Sequence, residues 1–181
     1  MPNSGTPALV FIVEDNDPDV FLVEEALRSQ GIPAQIQRCH DGEEAIQALS
    51  QIGESGVPHV IIIDLNLPKV TGLEVLKHVR NVERLNGVPV LILTSSQSRT
   101  DRAPSIQHGA NAYIGKPPTL PEFLSTVGSG IRALLERSDM EPRACPRPST
   151  WRPLRTQDRF RTFQPNMRRV HGGRARINSA I

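Results

Sequence analysis

The chain has 181 residues, of which 38% are A, V, I, L, M, F, W, Y or C, and its formal net charge is +2: enough for one packed domain plus a remainder, too little for two full domains. Its apolar runs, Val60 to Ile63 and Val90 to Leu93 among them, fall far short of the roughly 20 residues needed to cross a bilayer, and Ala8 to Val13 has no Lys or Arg before it and runs straight into Glu14 and Asp15, unlike a secretory signal. A cytoplasmic protein without a membrane span is therefore expected, and two distant cysteines, Cys39 and Cys145, argue against a disulfide framework or a zinc site.

In chain order, a short segment 1–7 precedes Ala8 to Val13, whose continuous apolar character suits a strand buried on both faces. Asp17-Pro18 offers an N-cap and a first-position proline for a helix burying Val20, Val23 and Leu27. Ala34 to Cys39 reads as a more polar edge strand, and Asp41 with Glu44 resembles a capping box for a helix carrying Ala45, Leu49 and Ile52. Val60 to Ile63 is the strongest strand, followed by the turn-rich run Asp64 to Lys69 and a helix from about Gly72 to Arg80. Val88 to Leu93 is a fourth strand and Ala112 to Ile114 a fifth. Thr119 and Glu122 cap a last helix carrying Phe123, Val127, Ile131 and Leu134, weakened by Gly128 and Gly130. Strands alternating with helices predict right-handed crossovers and a doubly wound α/β domain: a five-stranded parallel sheet with helices on both faces.

Function in such sheets sits beyond the carboxyl ends of the strands. There the sequence places Glu14 and Asp15 after the first strand, Asp64 after the third, Thr94 and Ser95 after the fourth, and Lys116 after the fifth. Carboxylates on adjacent strand ends repel unless a cation neutralises them, and an all-oxygen cluster is the ligand set magnesium prefers. Thr94 and turn N–H groups suit phosphoryl oxygens, and Lys116 adds positive charge. With no Ser-His-Asp set and no GxxxxGK[ST] loop, the remaining nucleophile is an aspartate, so the residues predict aspartyl phosphate formation at Asp64 assisted by Mg²⁺ and Lys116.

Val13-Glu14-Asp15-Asn16, the run Ile63 to Gly72, Leu93-Thr94-Ser95-Ser96 and the run Tyr113 to Pro117 together resemble the receiver domain of two-component response regulators, over residues 8–137. Asp64-Leu-Asn-Leu-Pro-Lys is most similar to single-domain regulators paired with phytochrome-type histidine kinases. The resemblance implies a flavodoxin-like strand order 2-1-3-4-5, with Asp64 as phosphoacceptor and Glu14, Asp15, Asp64 and the Asn66 carbonyl as the Mg²⁺ pocket. It further implies that Lys116 and Ser95 bind the phosphoryl group, that Thr94 and Tyr113 act as switch residues, and that a cis peptide precedes Pro117. Asn66 and Ser96 would tune phosphate lifetime. The implied partners are a sensor histidine kinase, a downstream protein and a second copy of the chain. Pro104, inside the segment Ser98 to His108 expected to form the fourth helix, departs from the pattern and predicts a late start or a kink.

The charge is unevenly spread. Residues 1–137 carry 16 acids against 11 Lys and Arg, whereas 138–181 carry ten Arg, no Lys and three acids, with Pro142, Pro146, Pro148, Pro153 and Pro165. This tail lacks apolar periodicity and is expected to be disordered. Its Arg residues with Trp151, Phe160 and Phe163 leave a DNA- or RNA-binding regulator as an alternative, though nucleic acid is the less expected partner. An aspartate-nucleophile phosphatase is disfavoured, because the acid such enzymes carry two residues after the nucleophile is Asn66 here. Tyr113 equally fits a core aromatic. His40, His59, His78, His108 and His171 show no ligand spacing and read as surface or satisfied side chains.

Overall fold

The structure, a computed structural model, describes residues 7–95 and 99–138. Five strands, β1 (Ala8–Val13), β2 (Ala34–Cys39), β3 (Val60–Ile63), β4 (Val90–Thr94) and β5 (Ala112–Gly115), alternate with α1 (Asp17–Ser29), α2 (Gly42–Gln51), α3 (Gly72–Asn81), α4 (Arg99–Gln107) and α5 (Leu120–Ser138). The sheet is parallel with order β2-β1-β3-β4-β5, the flavodoxin-like arrangement. Every residue of β3 and β4 is buried, as covering by helices on both faces requires, whereas β2 alternates half-buried and exposed residues at one edge.

The two-residue period of the strands divides the core in two. Val10, Ile12, Ile62, Leu91 and Leu93 point to one face, against Val23 and Leu27 of α1 and Phe123, Val127 and Ile131 of α5. Phe11, Val13, Ile61, Ile63, Val90 and Ile92 point to the other, against Leu49 of α2 and Val75, Leu76 and Val79 of α3. Gly128, expected only to weaken α5, has a packing role: a Cβ there would lie 2.9 Å from the Ala26 carbonyl, so its absence lets α5 approach α1.

Several element boundaries differ from expectation. The α1 N-cap is Asn16, which moves Asp17 and Pro18 into the first turn. Val88 belongs to the turn before β4, its N–H donating to Leu85 O, and β4 runs on to include Thr94. The start of α3 carries a capping box, in which Thr71 accepts from Glu74 N while the Glu74 carboxylate accepts from Thr71 N. At α2 the Asp41 side chain caps Glu44 N, but the Glu44 carboxylate accepts from His40 N instead of from the cap residue.

The expected fourth helix begins at Arg99, and Pro104 lies inside it. It is helical despite the missing N–H, with Ser105 Oγ donating to Asp101 O and the chain continuing into His108 N→Pro104 O. All described peptide bonds are trans, that before Pro117 included, against the cis form implied by the resemblance; trans is the lower-energy isomer of an X–Pro bond, and Lys116 reaches its partners from it. No helix among the described residues is long and apolar enough to cross a membrane. The segment before Pro7, Ser96, the tail after Ser138, Cys145 and His171 lie outside the described residues.

Candidate functional site

The parallel register brings the carboxyl ends of the strands to one rim. Val13 pairs with Ile63, Ile63 with Ile92 and Thr94 with Gly115, so the residues that follow share a small area. Asp64 N donates to Val13 O at 3.0 Å, tying the phosphoacceptor candidate to the end of β1. Gly72 keeps the β3–α3 loop tight: a Cβ there would fall 1.9 Å from the Asp64 carbonyl oxygen, a distance only glycine permits.

Lys116 closes the site from the end of β5. Its Nζ donates to Glu14 Oε2 at 2.7 Å, to Asp19 Oδ2 at 2.7 Å and to Asp64 Oδ2 at 2.9 Å. All four side chains are largely buried, Lys116 at 9% exposed and Glu14 and Asp64 at 6% each. The second oxygens are also engaged, Glu14 Oε1 by Asn16 N at 3.2 Å and Asp64 Oδ1 by Asn66 N at 3.1 Å. Burial raises the Glu14 pKa above its ordinary value, with the Lys116 ammonium opposing the shift. Burial alone would depress Lys116, but hydrogen bonds to Asp19, Glu14 and Asp64 outweigh it and hold the ammonium above the ordinary lysine range.

Sequence-predicted residues thus meet unequally. Glu14, Asp64 and Lys116 form one cluster. Thr94 is fully buried beside it, its Oγ1 3.5 Å from Asn66 Nδ2 and its carbonyl accepting from Lys116 N. Asp15 is exposed, and its carboxylate is not among those binding Lys116. Ser95 is exposed in a bend after β4. Tyr113 is half-buried against the α3-side core, with the Arg102 guanidinium 6.0 Å from its ring centre.

Two residues were missed. Asp19 sits at the third position of α1, where the first turn folds back over the end of β1; its acid character reads as complementing the helix dipole, which masks its reach to Lys116. Arg38, on edge strand β2, donates to the carbonyls of Glu14 (3.0 Å) and Asp15 (3.1 Å) and to Asp17 Oδ1 (2.6 Å), so it fixes the loop that carries both acids.

The donors fit a hard divalent cation in kind: carboxylates and a loop carbonyl, with one or two carboxylates sufficient for Mg²⁺. Among the described residues no three acidic, His or Cys side chains stand at metal-ligand spacing. The buried carboxylates surround the Lys116 ammonium instead.

The family model described as the response regulator receiver domain matches residues 10–128. Response regulator Rcp1 of Synechocystis sp. is 35% identical over 127 residues, covering 68% of this chain and 86% of that protein. The polar-differentiation response regulator DivK of Brucella anthropi is 32% identical over 123 residues, covering 68% and 95%. Among solved structures, the phosphorylated cyanobacterial phytochrome response regulator RcpA matches with a TM-score of 0.65 and 33% identity, over 73% of this chain and 96% of that one. The Mn²⁺-bound form of Rcp1 matches with a TM-score of 0.64 and 33% identity, over 72% and 96%.

Proposed function

The chain belongs to the response regulator receiver family, and on that premise we propose that it is a single-domain regulator whose Asp64 accepts a phosphoryl group from the phosphohistidine of a sensor histidine kinase. The observation that carries this reading is the Lys116 ammonium held at once by Asp64 and Glu14 at the strand-end rim. A carboxylate oxygen of Asp64 attacks phosphorus as the P–N bond breaks, and the bonding pair leaves on the imidazole nitrogen, which then takes up a proton. Lys116 Nζ offsets charge on the transferring oxygens, and the Thr94 hydroxyl and Ser95 stand on the β4 side to meet them.

Glu14, Asp15, Asp64 and the Asn66 carbonyl would hold a divalent cation, which when bound neutralises the oxygens of phosphate and carboxylate together. The Mn²⁺ in Rcp1 supports such an ion here, with Mg²⁺ the proposed one. The similarity to Rcp1 and to the phytochrome regulator RcpA supports a phytochrome-type kinase as donor. The added charge draws Thr94 toward the phosphate and changes the surface near Tyr113, where a downstream protein binds. The protein is on this reading a phosphoacceptor that assists its own transfer and hydrolysis. Phosphatase chemistry toward other substrates is disfavoured, because Asn66 supplies no general acid two residues after Asp64.

The test is incubation with acetyl phosphate and Mg²⁺, read by intact mass. The expected result is one added phosphoryl group on the wild type, removed by brief base treatment, and none on Asp64→Asn. Equal loading of both proteins, or none on the wild type, would overturn the reading.

A further inference from the structure

Three carboxylates share one ammonium, and only two of them, Glu14 and Asp64, come from the ends of β1 and β3. The third, Asp19, reaches Lys116 Nζ from the first turn of α1 at 2.7 Å, closer than the 2.9 Å of Asp64. It is itself largely withdrawn from water, at 19% side-chain exposure. Nothing in the phosphoryl transfer described above uses it.

We propose that Asp19 is a positioning residue that withholds part of the Lys116 charge from Asp64, and so governs how readily the site accepts a phosphodianion and how tightly it holds a divalent cation. The inference rests on the receiver reading of Asp64. An ammonium has three N–H donors, and here each is spent on a different carboxylate. When a phosphodianion enters, its oxygens need one of these donors, and Asp19 competes for it. The Asp19 carboxylate also adds one negative charge to the pocket, which repels the dianion and attracts the cation.

Removing the charge therefore moves the two equilibria in opposite directions. A merely structural role moves both the same way, because a loosened pocket binds everything less well. Replacing one charge about 6 Å from an ionic site, at an effective dielectric of roughly 40 to 80, changes each by roughly three- to tenfold.

The experiment compares wild type, Asp19→Asn and Asp19→Glu as full-length chains. Acetyl phosphate loading is followed by intact mass at saturating Mg²⁺, and Mg²⁺ affinity is measured separately by calorimetry without any phosphoryl donor. The expected result for Asp19→Asn is loading about three- to tenfold faster and a Mg²⁺ dissociation constant about three- to tenfold larger. Asp19→Glu should return both toward wild type. Unchanged values, a fall in both loading and affinity, or failure of Glu to rescue would overturn the proposal. A wild type that takes no phosphoryl group would instead defeat the receiver reading, and a wild type that loads normally beside an indifferent Asp19→Asn would defeat this inference alone.

Discussion

Glu14 buries a carboxylate whose ionised form its surroundings resist, since desolvation outweighs the help from Lys116 and raises its pKa above 4.5. In the folded state the proton is held more tightly than in the unfolded chain, so the contribution of this group to stability is full below pH 4.5 and is lost as pH rises through the folded value. Glu14→Gln removes that dependence while keeping the shape. The expected outcome is that the stability of wild type relative to Glu14→Gln falls as pH is raised from about 4.5 toward neutrality, measured by urea unfolding at several pH values. A flat or rising difference would show that pairing with Lys116, and not burial, dominates. Cys39 obeys the same physics at no functional site. Burial and the nearby Glu44 and Asp41 push its thiol up to about 11, which leaves it a protonated core side chain.

The loop between β3 and α3 shows how element packing sets the geometry of single residues. Thr71 and Glu74 cap α3 reciprocally, Gly72 N donates to Leu65 O, and the Gly72 Cα faces the Asp64 carbonyl without room for a methyl group. Gly72→Ala is expected to destabilise the fold by about 1–3 kcal/mol, the usual cost of overpacking, and to slow phosphoryl loading because the carbonyl and carboxylate of Asp64 must move together. Gly53→Ala, where an added Cβ meets nothing within 4 Å, is the control and should load normally. Thermal unfolding and intact mass check both. The start of α3 was legible as a turn followed by apolar periodicity, but the capping box was not, because Thr71 lies in a run already explained by Asn66, Pro68 and Lys69 as turn formers. The boundaries of β4 escaped for a related reason: Val88 is as apolar as the strand it precedes.

At the scale of the whole molecule, the carboxylates and their lysine come from positions as far apart in sequence as Glu14 and Lys116, and a ligand that binds there should stabilise the entire domain by mass action. A Mg²⁺ concentration ten times its dissociation constant is expected to raise unfolding free energy by about 1.4 kcal/mol. Asp64→Asn should lose most of that gain at the same concentration, and thermal melts with and without Mg²⁺ check it. An equal gain in both proteins would place the cation elsewhere on the acidic domain.

Sequence by itself determined the alternation of strands and helices, the parallel sheet and the strand-end placement of Glu14, Asp64, Thr94 and Lys116. Those features are carried by local signals: apolar runs of strand length, helical periodicity, and turn residues between them. What tertiary structure alone decided is which charges meet. Asp19 and Arg38 lie in an acidic helix turn and a polar edge strand, where local patterning has an ordinary explanation for each. Only the register of β2 beside β1, and the entry of α1 over the strand ends, turn Arg38 onto the Glu14 and Asp15 carbonyls and Asp19 onto Lys116. Asp15 shows the converse. The fold buries Glu14 against Lys116 and leaves the acid one position later exposed, a difference that two adjacent acids in the sequence do not signal.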